Sequence, residues 1–382
     1  MSNLPTPSAE ALAHSEKLVA RIREEISSSG GWIPFARYME LALYAPGLGY
    51  YTAGARKLGG AGDFTTAPEM TPLYGQTLAR QVAEVLESGL DQILEIGAGS
   101  GALAAALLLE LEQQRRLPRD YYILEVSPDL RERERDLLAQ KVPHLLERVT
   151  WLNRLPTLYQ GLIIANEVLD AMPVHLVRAT ASGVEEAGVS LHDTSFAWGW
   201  RPAAAQLRAA AEALRLPPGY QTEIQLVGCA FVRSLAQAMA RGVILLIDYG
   251  FPAHEYYHVE RSTGTLMCHY RHHAHADPFF LPGLQDITSH IDFSAVARAG
   301  AEAGLELLGY TGQAQFLINC GITDLMLRTP PEDAAAYLPQ AAAAQQLLSP
   351  AEMGELFKVI AFGKDYAAPL LGFASGDRRG SL

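Results

Sequence analysis

The stretch Gln92-Ile93-Leu94-Glu95-Ile96-Gly97-Ala98-Gly99-Ser100-Gly101 decides the fold. Its first half is mostly apolar and of the right length for one buried strand. Glycines at 97, 99 and 101 then end the run, and an apolar segment from Ala102 to Arg116 is expected to be helical. Strand, glycine turn and helix in that order open a βαβ unit. Without side chains, Gly97, Gly99 and Gly101 let the backbone take positive φ and let a ligand come close. The helix that follows points its positive end at the same place.

Two nucleoside cofactors compete for such a turn. A dinucleotide turn reads G-x-G-x-x-G, with the pyrophosphate on the helix N-terminus. Here the third glycine comes one residue early and Ala102 takes the dinucleotide position. Alanine is tolerated there, so spacing leaves both readings open. Glu95 shifts the balance. A carboxylate facing the turn repels a pyrophosphate but attracts the ammonium and sulfonium charges of S-adenosylmethionine. Glu125 lies 24 residues beyond Gly101, near the end of the next strand. An acid at that distance accepts two ribose hydroxyls and serves either cofactor. Trp151 and Leu152, beside a third strand, are expected to wall the adenine.

Outward from the turn, strands are expected at 121–126, 161–165 and 242–248, with helices at 9–27 and 73–87. Ser127-Pro128 has the serine and proline of a helix start. Strands alternating with helices predict a Rossmann-like parallel α/β sheet covered on both faces. Two segments break the rhythm: 174–201 alternates like an antiparallel hairpin, and 250–285 is a long, aromatic, His-rich loop. A helix at 293–303 and a strand at 305–310 resume the pattern. A further helix spans 334–348, a capping box at Ser349–Glu352 is expected to open another, and 357–362 reads as the last strand. Residues 375–382 are expected to fray. The expected division is a mainly helical N-terminal and lid region over 1–90, a Rossmann-like domain over 91–330 with insertions at about 174–228 and 250–290, and C-terminal helices with a final strand over 331–382.

The chain has 382 residues, 49% of them hydrophobic and 19% charged, which is enough apolar material for a sizeable core. A net charge of −12 argues against nucleic acid or an anionic membrane as the main partner. The three cysteines, Cys229, Cys268 and Cys320, are far apart and suit a reducing compartment. No secretory leader pattern is read, and no apolar run is long enough to span a bilayer. The expectation is a soluble cytoplasmic protein. Cys268 with His269, His272, His273 and His275 is read as a solvated or substrate-facing loop; no metal site is expected.

At the end of the strand over 161–165 stands Asn166-Glu167-Val168-Leu169-Asp170-Ala171-Met172-Pro173. This strand is expected beside the first, across the switch point where open α/β sheets bind ligands. Methyl transfer is an in-line displacement, so positioning supplies most of its catalysis. Asn166 is expected to orient a nucleophilic nitrogen. Glu167 and Asp170 are expected to hold a cationic substrate, and a guanidinium suits a carboxylate through two parallel bonds.

Seven motifs together resemble the MidA-like methyltransferases. They are Gly49-Tyr50-Tyr51, Gly62–Glu69 (GDFTTAPE), Glu95–Gly101, Glu125-Val126-Ser127-Pro128, Asn166–Pro173, Ile247-Asp248-Tyr249-Gly250 and Asp286–Phe293 (DITSHIDF). The resemblance implies a Rossmann-like S-adenosylmethionine domain with an added, largely helical part. The family includes a protein arginine methyltransferase acting in mitochondrial complex I assembly, which implies a protein partner. By position, Gly97, Gly99 and Glu125 would hold the cofactor and Asn166 and Glu167 would sit at the reaction centre. The segment 62–69 would form a lid, with Thr66 and Glu69 near the cofactor. The rival expectations are a small-molecule methyltransferase, a cofactor-binding assembly chaperone with little catalysis, and a dehydrogenase.

Overall fold

The computed structural model describes residues 4–53 and 66–382. The chain forms two compact units, interleaved along the sequence. One takes in residues 66–168, 231–252 and 293–382, the other residues 4–53, 169–230 and 253–292. The stretch 1–90 is thus shared between the units. So is 91–330.

The first unit holds the glycine turn. Its strands are β1 (Gln92–Ile96), β2 (Asp120–Leu124), β3 (Val149–Leu152), β4 (Tyr159–Asn166), β5 (Met239–Phe251), β6 (Glu306–Gly312) and β7 (Phe357–Lys364). They run in the order β6-β7-β5-β4-β1-β2-β3. β3 to β5 are parallel across β2, β1 and β4, while β7 lies antiparallel between β5 and β6. The order reverses between β1 and β4, which places the glycine turn and the Asn166–Glu167 corner at the switch point. The Rossmann-like reading therefore holds, with one antiparallel strand added near an edge.

Residues on both faces of β1 and β4 are buried, as expected of central parallel strands. Helices α1 (Pro72–Glu87) and α2 (Ala102–Gln113) supply Leu78, Val82, Leu103 and Leu107 to a core with Ile93, Ile123, Leu162 and Ile164. Each such side chain is worth roughly 1.5–3 kcal/mol when fully buried. Gly75 lets α1 close on α2: a Cβ there would lie 2.6 Å from that of Ala106. Helix α3 (Pro128–Lys141) starts as expected, with the Ser127 hydroxyl accepting from the Leu130 amide.

The second unit carries helices Ala9–Ser28 and Phe35–Tyr44. The 174–201 segment is an antiparallel meander, and with Trp32–Pro34 and Gln221–Ile224 it makes a five-stranded sheet among the described residues. The expected loop over 250–285 needs correction. Met267–Tyr270 pairs antiparallel with both His273–His275 and Asp286–Thr288, so its histidines sit in and around a short hairpin. Among the described residues no three His, Cys, Asp or Glu side chains converge as metal ligands.

Two further expectations fail. The box at Ser349–Glu352 does not form; the helix there is one turn, Met353–Leu356, with no side-chain cap. Gly354 lies too close to the Leu348 carbonyl for any Cβ, and β7 begins at Phe357, so no longer helix fits. The tail 375–382 is tied down rather than frayed. The Arg378 guanidinium pairs with Glu355 through two bonds of 2.9 and 3.0 Å, and its amide donates to the Tyr310 carbonyl. No described helix is long and apolar enough to cross a membrane.

Candidate active site

The turn after β1 does what its glycines permit. Gly97, Gly99 and Gly101 have φ of 66°, 61° and 83°, a left-handed alternation that L side chains resist by roughly 1–2 kcal/mol each. A Cβ on Gly97 would also press on Val168 at 3.0 Å, and one on Gly101 would meet the backbone of Glu134 at 3.3 Å. α2 begins at Ala102, so its free amides open onto this bend.

Glu125 follows the last residue of β2 and is buried. Its carboxylate accepts the Ser127 amide at 2.7 Å, which fixes its direction. Beside it Val126 is 69% exposed, an apolar side chain next to the acid expected to take the ribose. Trp151 and Leu152, expected to wall the adenine, are the last residues of β3 and half-buried, and the Trp151 indole donates to Glu134 at 2.7 Å. Glu95 does not lie open to the turn. It is buried within the sheet and accepts the Tyr121 hydroxyl at 2.6 Å. Burial pushes its carboxyl up to about 7; the Tyr121 bond opposes this and nearby Glu125 adds to it. Its influence on a bound cation is therefore through the field of a buried acid rather than by contact. Thr66 and Glu69 belong to a helical turn over Ala67–Met70 at the start of this unit, Thr66 as its N-cap. The lid residues 62–65 lie outside the described residues.

At the end of β4 the geometry is tightly specified. The Tyr74 hydroxyl on α1 donates to Asn166 Oδ1 at 2.6 Å, and Asn166 Nδ2 donates to Glu167 Oε1 at 3.0 Å. Burial, then the Glu167 and Asp248 charges, hold the Tyr74 phenol well above its ordinary range, so it remains a donor. Glu167 has φ of 53°, left-handed for a non-glycine residue, a strain of order 1–3 kcal/mol. Its amide donates to the Ile247 carbonyl at 2.9 Å, and Asp248 accepts the Val168 amide at 3.2 Å and the Tyr249 amide at 2.9 Å. The motifs at 166–173 and 247–250 thus meet here. Asp170 falls in the other unit, buried, its carbonyl accepting the Ser289 amide. In that unit Tyr51 donates to both carboxylate oxygens of Asp286 at 3.0 Å, joining the motifs at 49–51 and 286–293.

Sequence reasoning assigned no role to Tyr74, Val126, Glu134 or Asp248. Only Asp248 had a readable signal, an acid ending the strand next to β4. Asn166, expected to face a substrate nitrogen, spends both ends of its amide on Tyr74 and Glu167.

A left-handed glycine cradle with the buried acids Glu95 and Glu125 close by fits a cationic nucleoside better than a pyrophosphate. Fold and site together define an S-adenosylmethionine-dependent methyltransferase. The family profile described as "Putative S-adenosyl-L-methionine-dependent methyltransferase" matches residues 77–311. A Burkholderia thailandensis crystal structure bound to S-adenosyl-homocysteine is 52% identical, with a TM-score of 0.97 over 100% of both chains. The mouse (Mus musculus) mitochondrial protein arginine methyltransferase NDUFAF7 is 31% identical, the match covering 87% of this chain and 81% of that protein. The human (Homo sapiens) protein of the same name is 28% identical over 87% of this chain and 80% of its own. The chain belongs to the MidA-like methyltransferase family, and its cofactor is S-adenosylmethionine.

Proposed function

We propose that this methyltransferase modifies an arginine side chain of a protein partner, with a respiratory complex I subunit as the first candidate to test. The observation that carries the reading is Glu167, an acid held rigidly beside the switch point by Asn166 and a left-handed backbone. A guanidinium binds a carboxylate through two parallel N–H···O bonds, which fixes its plane and its nucleophilic nitrogen. Relatives named as arginine methyltransferases, at 26–31% identity, support the same substrate class.

In this reading Gly97, Gly99, Gly101 and Glu125 hold the cofactor, with Val126, Trp151 and Leu152 around the adenine. Thr66 and Glu69 lie on the lid side. Bound S-adenosylmethionine supplies a methyl group activated by its sulfonium. Glu167 orients the acceptor nitrogen and draws off the proton that it sheds. Asn166, fixed by Tyr74, keeps the Glu167 carboxylate from swinging away, and Asp248 fixes the backbone of the corner. Asp170, expected to share in holding the substrate cation, lies in the other unit and is given no role at this corner. The three cysteines form no disulfide, which fits a reducing compartment such as the cytoplasm.

The test is incubation with methyl-labelled S-adenosylmethionine and host lysate, then mass-spectrometric mapping of the modified residues. Label on arginine, lost in Glu167→Gln, supports the proposal. Label confined to small molecules, or no label in any protein, sinks it.

A further inference from the structure

Among the buried acids to which the reaction as derived gives no task, one borders the glycine turn. Glu134 on α3 has no solvent exposure. Its Oε2 accepts the Trp151 indole proton at 2.7 Å, and its buried Oε1 has no hydrogen-bond partner among the described residues. Its backbone is what a Cβ on Gly101 would strike first, at 3.3 Å. One residue therefore touches the glycine turn with its main chain and the end of β3 with its side chain. These are the two walls of the nucleoside site.

We propose that Glu134 is a positioning residue for the cofactor: as a neutral carboxyl it holds the Trp151 indole to the helix behind the glycine turn, and its ionisation sets an uncompensated charge beside Glu125 that weakens the hold on the cofactor. The proposal rests on the cofactor lying at this turn.

The surroundings favour the neutral form. Glu125 at the end of β2 and Glu95 on β1 are both acidic neighbours, and Tyr121 on β2 feels the Glu134 charge as well. Arg131, on the same helix, is the opposing cation, but its guanidinium is spent on the Glu125 and Leu152 carbonyls and on Asn153. Arg135 lies over the Trp151 ring at 4.7 Å rather than against the carboxyl. Burial first, then Glu125, pushes the Glu134 carboxyl up to about 8, against the pull of the indole bond. With Oε2 accepting from the indole, the proton sits on Oε1. An ionised Glu134 would stand beside two other acids with no counter-charge of its own. A buried acid disfavoured in this way beside a ligand cleft is a candidate for a functional role.

Glutamine keeps the shape and the acceptor but cannot ionise, so Glu134→Gln separates the two roles. S-adenosylhomocysteine is titrated by calorimetry from pH 6 to 9.5 into wild type, Glu134→Gln, Trp151→Phe and Gly97→Val. The ligand's own amino group titrates against every protein, so the reading is the ratio of wild-type to Glu134→Gln Kd. The expected ratio is near one at pH 6 and climbs about tenfold by pH 9.5, as ionisation more than one decade past the midpoint requires. Trp151→Phe removes the indole donor, leaves Glu134 harder to ionise, and moves the midpoint of the wild-type loss to higher pH. Without ligand, Glu134→Gln should melt above wild type at pH 8.5 and level with it at pH 4.

A ratio that stays flat with pH overturns the proposal. So does a Glu134→Gln protein that binds more weakly and melts lower at every pH, the signature of a carboxylate needed only for structure. Gly97→Val tests the pocket separately. Loss of its binding at all pH places the ligand at the turn, whereas wild-type binding there would overturn both the pocket and the proposal.

Discussion

Asn166→Asp changes one atom's chemistry and almost no volume. In the wild type Nδ2 donates to Glu167 Oε1 at 3.0 Å while Oδ1 accepts from Tyr74 at 2.6 Å. The substituted carboxylate keeps the acceptor for Tyr74 and loses the donor for Glu167. A hydrogen bond to a charged group is worth about 1.5–3 kcal/mol, which is roughly tenfold to 150-fold in rate if it acts only at the transition state. Two carboxylates about 3 Å apart also repel by about 5.5 kcal/mol at an effective dielectric of 20. That repulsion is relieved when the pair takes up one proton, since like charges raise the affinity of one member. The protonated carboxyl at position 166 then donates to Glu167 as the amide did. Transfer of label from S-adenosylmethionine to host protein should therefore fall about tenfold or more at pH 8.5 and recover relative to wild type toward pH 6. Calorimetry should find S-adenosylhomocysteine affinity within about threefold of wild type, because the glycine cradle is untouched. Equal transfer at pH 8.5, or an equal loss in cofactor affinity, would refute the role given to Asn166.

Other perturbations follow from the same geometry. Tyr74→Phe removes one buried hydrogen bond, so stability should drop by about 1 kcal/mol in denaturant melts, with transfer reduced and cofactor affinity kept. Glu95→Gln should stabilise the protein at pH 8 but not at pH 4. A carboxyl raised to about 7 favours folding below the ordinary carboxylate range and loses that contribution as pH rises through 7. The gap is about 3 kcal/mol at about 1.4 kcal/mol per tenfold change in proton affinity, and melting curves at the two pH values measure it. Tyr51→Phe leaves the buried Asp286 carboxylate without the donor that spans both its oxygens, and should cost about 1.5–3 kcal/mol by denaturant melting. Gly101→Ala meets left-handed backbone and the Glu134 main chain together; it should lower both the melting temperature and cofactor affinity.

The parallel sheet was legible because each of its strands is a local apolar run followed by a helix or a turn. β1, the glycine turn and the α3 cap at Ser127 needed only neighbouring residues to be read. The antiparallel parts were harder. Pairing of Trp32–Pro34 with residues near 189, or of Met267–Tyr270 with two partners, joins segments whose match no local pattern states. The C-terminal tail looked frayed for the same reason: its partners, Tyr310 and Glu355, lie far back in the chain. In the site, the residue types at 95 and 125 pointed to the cationic nucleoside, and those at 166 and 167 raised the expectation of a cationic substrate. Their states did not show. That Glu95 is bonded to Tyr121 rather than open, and that Tyr74, 92 residues away, occupies the Asn166 amide, are consequences of packing alone.

A crystal structure of this protein soaked with S-adenosylhomocysteine bears on all of this at once. The account predicts the ribose hydroxyls on the Glu125 carboxylate, the purine against Val126 and Trp151, and the sulfur directed toward the corner formed by Asn166 and Glu167. A ligand held elsewhere, or a cradle at 97–101 closed over by side chains, would contradict it.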